Sequence, residues 1–190
     1  MTTATRDSRD WHQNEVFTIA SIQKTSLPDT AVAVAVHLTS PVQFNHIARP
    51  EYQGEVGLLT RSIKVQGAVD DSPPTDVSSE TCILTDHNDK GRQAYGYDQI
   101  QCPDTYLTGF GGHIMVHNGG VGYVEGIELY RMGQTNVLGR YPMHFHLLGD
   151  GCPGCFLKDS SIHESYYRCI SVHATNGVTV SENVAFDVTG

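Results

Sequence analysis

The sequence predicts an all-β chain whose second half winds as a single-stranded parallel β-helix, and three observations carry that expectation. Short apolar or alternating runs are broken by Gly, Asn, Asp and Ser at close intervals, with 19 glycines among 190 residues. Stretches with a helical period are essentially absent. Similar segments recur at offsets in the twenties, the spacing at which successive coils of a solenoid stack.

The strand candidates are Val16–Ile22, Ala31–Leu38, Val56–Val65, His113–His117, Gly126–Tyr130, Met143–Leu147, Phe156–Ile162, Cys169–His173 and Val178–Phe186. The first two, rich in β-branched residues, lead into Phe44-Asn-His46 with no regular offset. They read as ordinary sheet strands, set apart from the coils that follow. Residues 68–110 interrupt that helix as a long surface insertion, rich in Asp, Ser and Pro and poor in apolar anchors.

The coil register comes from two superpositions. His113-Ile-Met-Val-His117, Met143-His-Phe-His-Leu147 and Cys169-Ile-Ser-Val-His173 align at offsets of 29 and 27. Ile114/Val116, Met143/Phe145 and Ile170/Val172 then stack as an inner ladder. Phe156–Ile162 and Val178–Val184 align at an offset of 22, which sets Ser161 against Asn183 and Ile162 against Val184. Alternate residues of a strand face opposite sides, so His117, His146 and His173 form one outward column beside Met115, His144 and Ser171. Neighbouring strands lie about 4.8 Å apart, close enough for these imidazoles to reach one ligand. A one-residue slip would bury them instead.

Imidazole titrates near pH 6.5, so it serves as acid or base close to neutrality, and several together ligate a divalent ion. The same histidines can equally hydrogen-bond neighbouring turns and hold the coils together. Arg140 and Arg168 occupy comparable places before their strands. A guanidinium there pairs either with a sugar carboxylate or with Asp150, Asp159 or Glu164. Asp150 and Asp187 close strands and suit a catalytic carboxylate, a calcium ligand or a turn-former. His163 falls on another face and reads as structural. Asp86-His-Asn-Asp89 has calcium-like composition without the spacing of an EF-hand loop.

The formal charge of -9 argues against nucleic acid as a partner. Residues 68–110 supply -6 of it, with eight carboxylates against Lys90 and Arg92. From Tyr130 to Thr175 the balance is four basic residues, Arg131, Arg140, Lys158 and Arg168, against three acidic ones, which permits an anionic ligand. No apolar run approaches a membrane span, and the first residues lack the apolar core of a signal peptide, so any export signal must lie outside this chain. Of five cysteines, Cys152-Pro-Gly-Cys155 suits a turn-stapling disulfide or two free thiols. Cys82 and Cys102 flank the acidic insertion and are placed to close it as a loop in an extracellular setting.

Several segments resemble one family. These are Glu55–Ile63, Gly111-Gly-His113, Gly133-Gln134, Leu138–Asp150, Ser161-Ile-His163, Arg168–His173 and Asn183–Asp187. They are similar to the cell migration-inducing hyaluronidase group, with its transmembrane paralogue and the fibrocystin-like proteins. The resemblance covers most of residues 12–190, is weakest across the insertion and is specific over 133–190. It implies a right-handed, pectin-lyase-like parallel β-helix over residues 55–190, with residues 1–54 the end of the family's preceding eight-glycine, β-rich domain, of which Trp11–Ile19 looks like the tail. It further implies that the coils continue past Gly190.

By resemblance the setting is extracellular or the cell surface and the partner an acidic polysaccharide such as hyaluronan. The candidate catalytic residues are His144, His146, His173, Arg140 and Asp150, with Arg168, His117 and Arg131 binding substrate and a divalent cation such as calcium a candidate cofactor. Two members of the group are associated with hyaluronan depolymerisation, whereas the fibrocystin-like members imply a non-catalytic adhesion or spacer module. A pectin-lyase-like mechanism, with an Arg base and calcium, is a third reading that needs carboxylates converging near Arg140 or Arg168.

Overall fold

The computed structural model describes residues 2–3, 14–26, 32–46, 48–49, 52–67, 83–84, 100–101, 111–134 and 137–188. The chain divides into two compact units, residues 1–60 and 61–190. Among the described residues there are only strands and turns, with no helix.

In the first unit, Ile19–Ser26 and Val32–Leu38 pair as an antiparallel hairpin, and Thr2–Thr3 lies between Glu15–Val16 and Val56–Gly57. Glu15 is buried and ties a loop to its strand. Its carboxylate accepts from the Gln43 and Phe44 amides at 2.8 and 3.0 Å and lies 2.7 Å from His46 Nε2.

The second unit is a parallel β-helix of three sheets. Sheet A stacks Ile114–Val116, Met143–Gly149 and Ile170–Thr175. Sheet B stacks Tyr123–Glu125, Phe156–Lys158 and Thr179–Ser181. Sheet C stacks Ile63–Gln66, Ile127–Tyr130, Ser161–Ser165 and Val184–Val188. Every pairing is parallel, so each coil runs A to B to C and then climbs to the next A strand.

Period-2 alternation decides what fills the inside. In sheet A, Ile114, Met143 and Ile170 stack in register, as do Val116, Phe145 and Val172. Sheets B and C add the ladders Val124, Leu157, Val180 and Val65, Leu129, Ile162, Ala185. Leu129, Met143, Phe145, Leu157 and Ile162 are wholly buried. Apolar burial of this kind is worth about 1.5–3 kcal/mol per large side chain, which makes this ladder the main source of cohesion between coils.

From Ile114 onward, every corner of the coil carries a left-handed residue close to the end of its strand, and these residues also stack. Asn118, Leu147 and Ala174 close sheet A at φ 52°, 52° and 45°. Asp159 and Glu182 close sheet B at 48° and 57°, above Gly126. Arg131, Glu164 and Asp187 close sheet C at 52°, 47° and 50°. A non-glycine residue in this region costs roughly 1–2 kcal/mol, so the corners spend part of what the inner ladder supplies.

The spacing between sheets is uneven in an informative way. From a B-strand residue to its C-strand counterpart the separation is five residues in all three coils (Tyr123 to Glu128, Phe156 to Ser161, Thr179 to Val184). From A to B it is nine, thirteen and nine (Ile114 to Tyr123, Met143 to Phe156, Ile170 to Thr179). From C to the next A it is fifteen and then nine (Glu128 to Met143, Ser161 to Ile170). The four extra residues of the middle coil accommodate the Cys152–Cys155 disulfide, both cysteines being fully buried. Cys169 is a free thiol.

The parallel β-helix and the sheet A register at 29 and 27 agree with the sequence expectation. The second superposition does not. The observed offset is 23, pairing Phe156 with Thr179 and Ser161 with Val184. Asn183 sets it, because its side chain bridges two backbone groups of the coil below, accepting from Ser160 N–H at 3.0 Å and donating to Leu157 O at 2.9 Å. Asn183 therefore faces Ser160. Two single-strand candidates, Phe156–Ile162 and Val178–Phe186, each split at a left-handed corner, and Tyr123–Glu125 is a strand hidden by its neighbouring glycines. Of the acidic insertion, Ile83–Leu84 and Ile100–Gln101 pair antiparallel. Cys82, Cys102 and Asp86–Asp89 lie outside the described residues.

Phe145→Ala should cost about 3–5 kcal/mol in equilibrium urea denaturation, as expected for a large buried ring. Leu147→Gly, two residues on, removes a side chain that is 61% exposed at a left-handed corner and should raise stability by up to about 1 kcal/mol.

Candidate functional site: a three-histidine face on sheet A

On the outer face of sheet A, Met115, His144 and Ser171 stack in one column, and His146 stands directly opposite His173 in the other. The strand alternation that buries Met143 and Phe145 is what turns these histidines outward. The imidazoles then converge. His144 Nε2 lies 3.2 Å from His146 Nδ1, and His146 Nδ1 lies 3.2 Å from His173 Nδ1. Ring centroids of His144 and His146 are 4.7 Å apart, and those of His146 and His173 are 5.1 Å apart.

The six extra residues of the connection from Tyr130 to Met143 build a wall over this face. His144 is only 2% exposed although it points outward. Its Nδ1 lies 3.1 Å from the Gly139 carbonyl, and its ring meets Tyr141 edge-on at 4.9 Å. A carbonyl can only accept, so His144 carries its proton on Nδ1 and turns the Nε2 lone pair toward the other two rings. Tyr141 stacks on Tyr167 at 5.2 Å, and the Arg168 guanidinium lies 6.0 and 5.7 Å from those two rings. Exposure rises from buried His144 through half-buried His146 to exposed His173.

Both inner imidazoles are held in the neutral form. Burial lowers the His144 pKa, partly offset by its bond to Gly139, and the nearby His146, His173 and His113 push it down further. Burial, then His173 and His117, lower that of His146. Both are therefore bases with available lone pairs at neutral pH.

The remaining predicted site residues divide. Arg140 sits beside the face, but its Nη1 donates to His113 Nε2 at 2.8 Å, and burial together with Arg140 keeps His113 neutral. Asp150 accepts from Asn176 Nδ2 at 2.8 Å and ties one coil to the next at the turn. His117 is exposed and is not one of the three residues whose nitrogens converge. Arg131 leaves from the corner after sheet C, where it lies 3.6 Å from Glu164 and over the Tyr130 ring at 5.0 Å. His113, Gly139, Tyr141 and Tyr167 were not anticipated. For Gly139 and Tyr141 the signal was the length of the connection between Tyr130 and Met143, six residues longer than its successor; His113 and Tyr167 lie outside that connection and had no such signal.

A second polar cluster occupies the outer face of sheet C. Glu128, 3% exposed, receives Lys64 Nζ at 2.9 Å and His163 Nε2 at 3.1 Å on one oxygen and the Arg61 amide at 3.3 Å on the other. His163, read from sequence as structural, is a buried partner of this carboxylate, and its Nδ1 has no hydrogen-bond partner.

Fold and face together define a class, the short-coiled parallel β-helix with a histidine-lined outer sheet. Residues 109–190 match the model of the CEMIP beta-helix family. The whole chain is similar to a G8 domain-containing protein of Dictyostelium discoideum, 36% identical over 189 residues, covering 100% of this chain and 10% of that protein. It is similar also to Communication mutant protein F of the same organism, 33% identical over 100% of this chain and 13% of that protein. Fibrocystin-L of Mus musculus is 31% identical over 94% of this chain and 4% of its own length. The chain thus spans about a tenth of the curated relatives it matches. No solved structure matches it.

Burial raises the Glu128 pKa, but Lys64, the Arg61 amide and His163 outweigh it and hold the pKa below its ordinary 4.5. A carboxylate with a lowered folded-state pKa contributes stability above about 4.5 and loses it as pH falls through the folded value. Thermal melts should therefore show the midpoint dropping below about pH 4.5, and Glu128→Gln should flatten that drop. At pH 7 the same variant should be less stable by about 1–3 kcal/mol.

Proposed function

We propose that the chain is the β-helix of an extracellular or cell-surface protein that processes or binds a glycan, with an acidic polysaccharide of the hyaluronan type as its ligand. The single observation that supports this reading most is the convergence of three imidazoles, graded from buried His144 to exposed His173, on the outer face of sheet A beside the aromatic and guanidinium cluster of Tyr141, Tyr167 and Arg168. Neutral imidazoles take a proton from an attacking water, and an imidazolium returns one to the leaving oxygen of a glycosidic bond. General acid–base help of this kind is worth about 10²–10⁴-fold in rate. Arg168, near the rim, suits the sugar carboxylate, since a guanidinium pairs with a carboxylate in bidentate fashion. Arg140 serves by fixing His113.

A second reading rests on a different observation. His144 is buried and bonded to Gly139, and Asp150 and Asn176 tie successive coils, as a non-catalytic adhesion or spacer module would need. Fluorescent hyaluronan run on a gel before and after incubation with the chain separates the two. Shortening or retention of the polymer, reduced at least about tenfold in a His146→Ala, His173→Ala double variant, supports the glycan site. Equal activity in the double variant removes the site assignment. Hyaluronan neither shortened nor retained favours the spacer.

A further inference from the structure

One ring nitrogen from each of His144, His146 and His173 lies within 4.8 Å of the other two, and hydrogen bonding alone does not satisfy the contacts they make. His144 Nε2 is a lone pair, because its Nδ1 proton is given to Gly139. His146 Nδ1 stands 3.2 Å from that lone pair and 3.2 Å from His173 Nδ1. One N–H proton points along one line, so it cannot be well aligned with two acceptors at once. If His146 Nδ1 carries no proton, it faces the His144 lone pair with nothing between them.

A single cation resolves this. Imidazole nitrogens bind zinc-class ions at about 2.0–2.1 Å, and two ligands of a tetrahedral site with bonds of that length lie roughly 3.3 Å apart. The two nitrogen contacts match that edge. The bond from His144 Nδ1–H to a backbone carbonyl is the kind of support that orients a ligating histidine and fixes its tautomer.

We propose that these three histidines form a binding site for one divalent transition-metal ion of the zinc class, with a fourth coordination position open toward solvent on the His173 side. Three nitrogen donors without a carboxylate select zinc, copper, nickel or cobalt over calcium, which takes six to eight oxygens. Three protein ligands with one open position is the arrangement of a reactive zinc site, in which a water or a ligand oxygen completes the shell. The ion would also join two successive coils, since His144 and His146 belong to one and His173 to the next. The ion would take the lone pairs that the acid–base reading uses, so with it bound a metal-held water would stand in for the base; its binding does not depend on any glycan being bound or cut.

The test uses the whole chain, stripped with a chelator and titrated with Co²⁺ and Zn²⁺ in the absence of polysaccharide. The expected result is one equivalent bound per chain, the strong visible absorption of low-coordinate Co²⁺, and a Zn²⁺-dependent rise in melting temperature. His173→Ala, which removes an exposed side chain and spares the core, should weaken binding by more than about tenfold. His146→Ala should do the same, whereas His37→Ala, an exposed histidine of the first unit, should bind as the parent does. No binding by the parent overturns the proposal, as does parental affinity in His173→Ala and His146→Ala. Calcium competing as well as zinc overturns the metal class. Because metal is read without glycan, failure here leaves the glycan reading standing, and loss of glycan binding leaves this site standing.

Discussion

Met143 and Phe145, one residue apart and fully buried, hold the middle coil between the coils that contribute Ile114 and Val116 on one side and Ile170 and Val172 on the other. The backbone hydrogen bonds of parallel strands fix the spacing of coils but not which face of each strand points inward. The apolar ladder makes that choice, and every polar arrangement on the outside inherits it. His144 and His146 converge with His173 because the residues between and beside them cannot be moved out of the core. A slip of one residue would exchange two wholly buried apolar side chains for two imidazoles, a loss no surface contact could offset.

Much of this was legible because the ladder is written in a two-residue period. The sheet A register followed from Ile114/Val116, Met143/Phe145 and Ile170/Val172, three similar pairs that admit one alignment. Sheets B and C were harder. Their strands are three to five residues long and meet at a corner, so Phe156–Ile162 reads as one strand until the left-handed Asp159 is seen to break it. Asp is only weakly favoured at a left-handed corner and Glu not at all, so the residue types do not fix its position, and an error of one residue in offset follows. The side chain of Asn183, which bonds two backbone groups of the coil below, settles the register, and such a bond has no periodic signature.

The two polar clusters outside the helix show how differently a buried charge and a neutral lone pair are accommodated. Glu128 collects three donors, and its carboxylate is balanced within the protein. His144 and His146 of sheet A are bases meeting bases, kept uncharged by burial and by neighbouring imidazoles. Sequence showed the histidine column, since spacing alone places it. Arg140 was legible as a neighbour of that column, whereas Gly139 and Tyr141, which wall it in, were not, because they reach it through a connection whose path only the folded coil defines.

The uneven spacing between sheets carries a consequence for how such a molecule diversifies. The five-residue step from sheet B to sheet C is the same in every coil, so that edge behaves as a hinge pin cut to one length. The other two edges absorb additions of four and six residues while the ladders stay in step. Chemistry added along those two edges is therefore modular. A lineage can graft, lengthen or delete the wall over the histidines without recutting the barrel beneath, and two chains with matching coils can differ wholly in what they recognise.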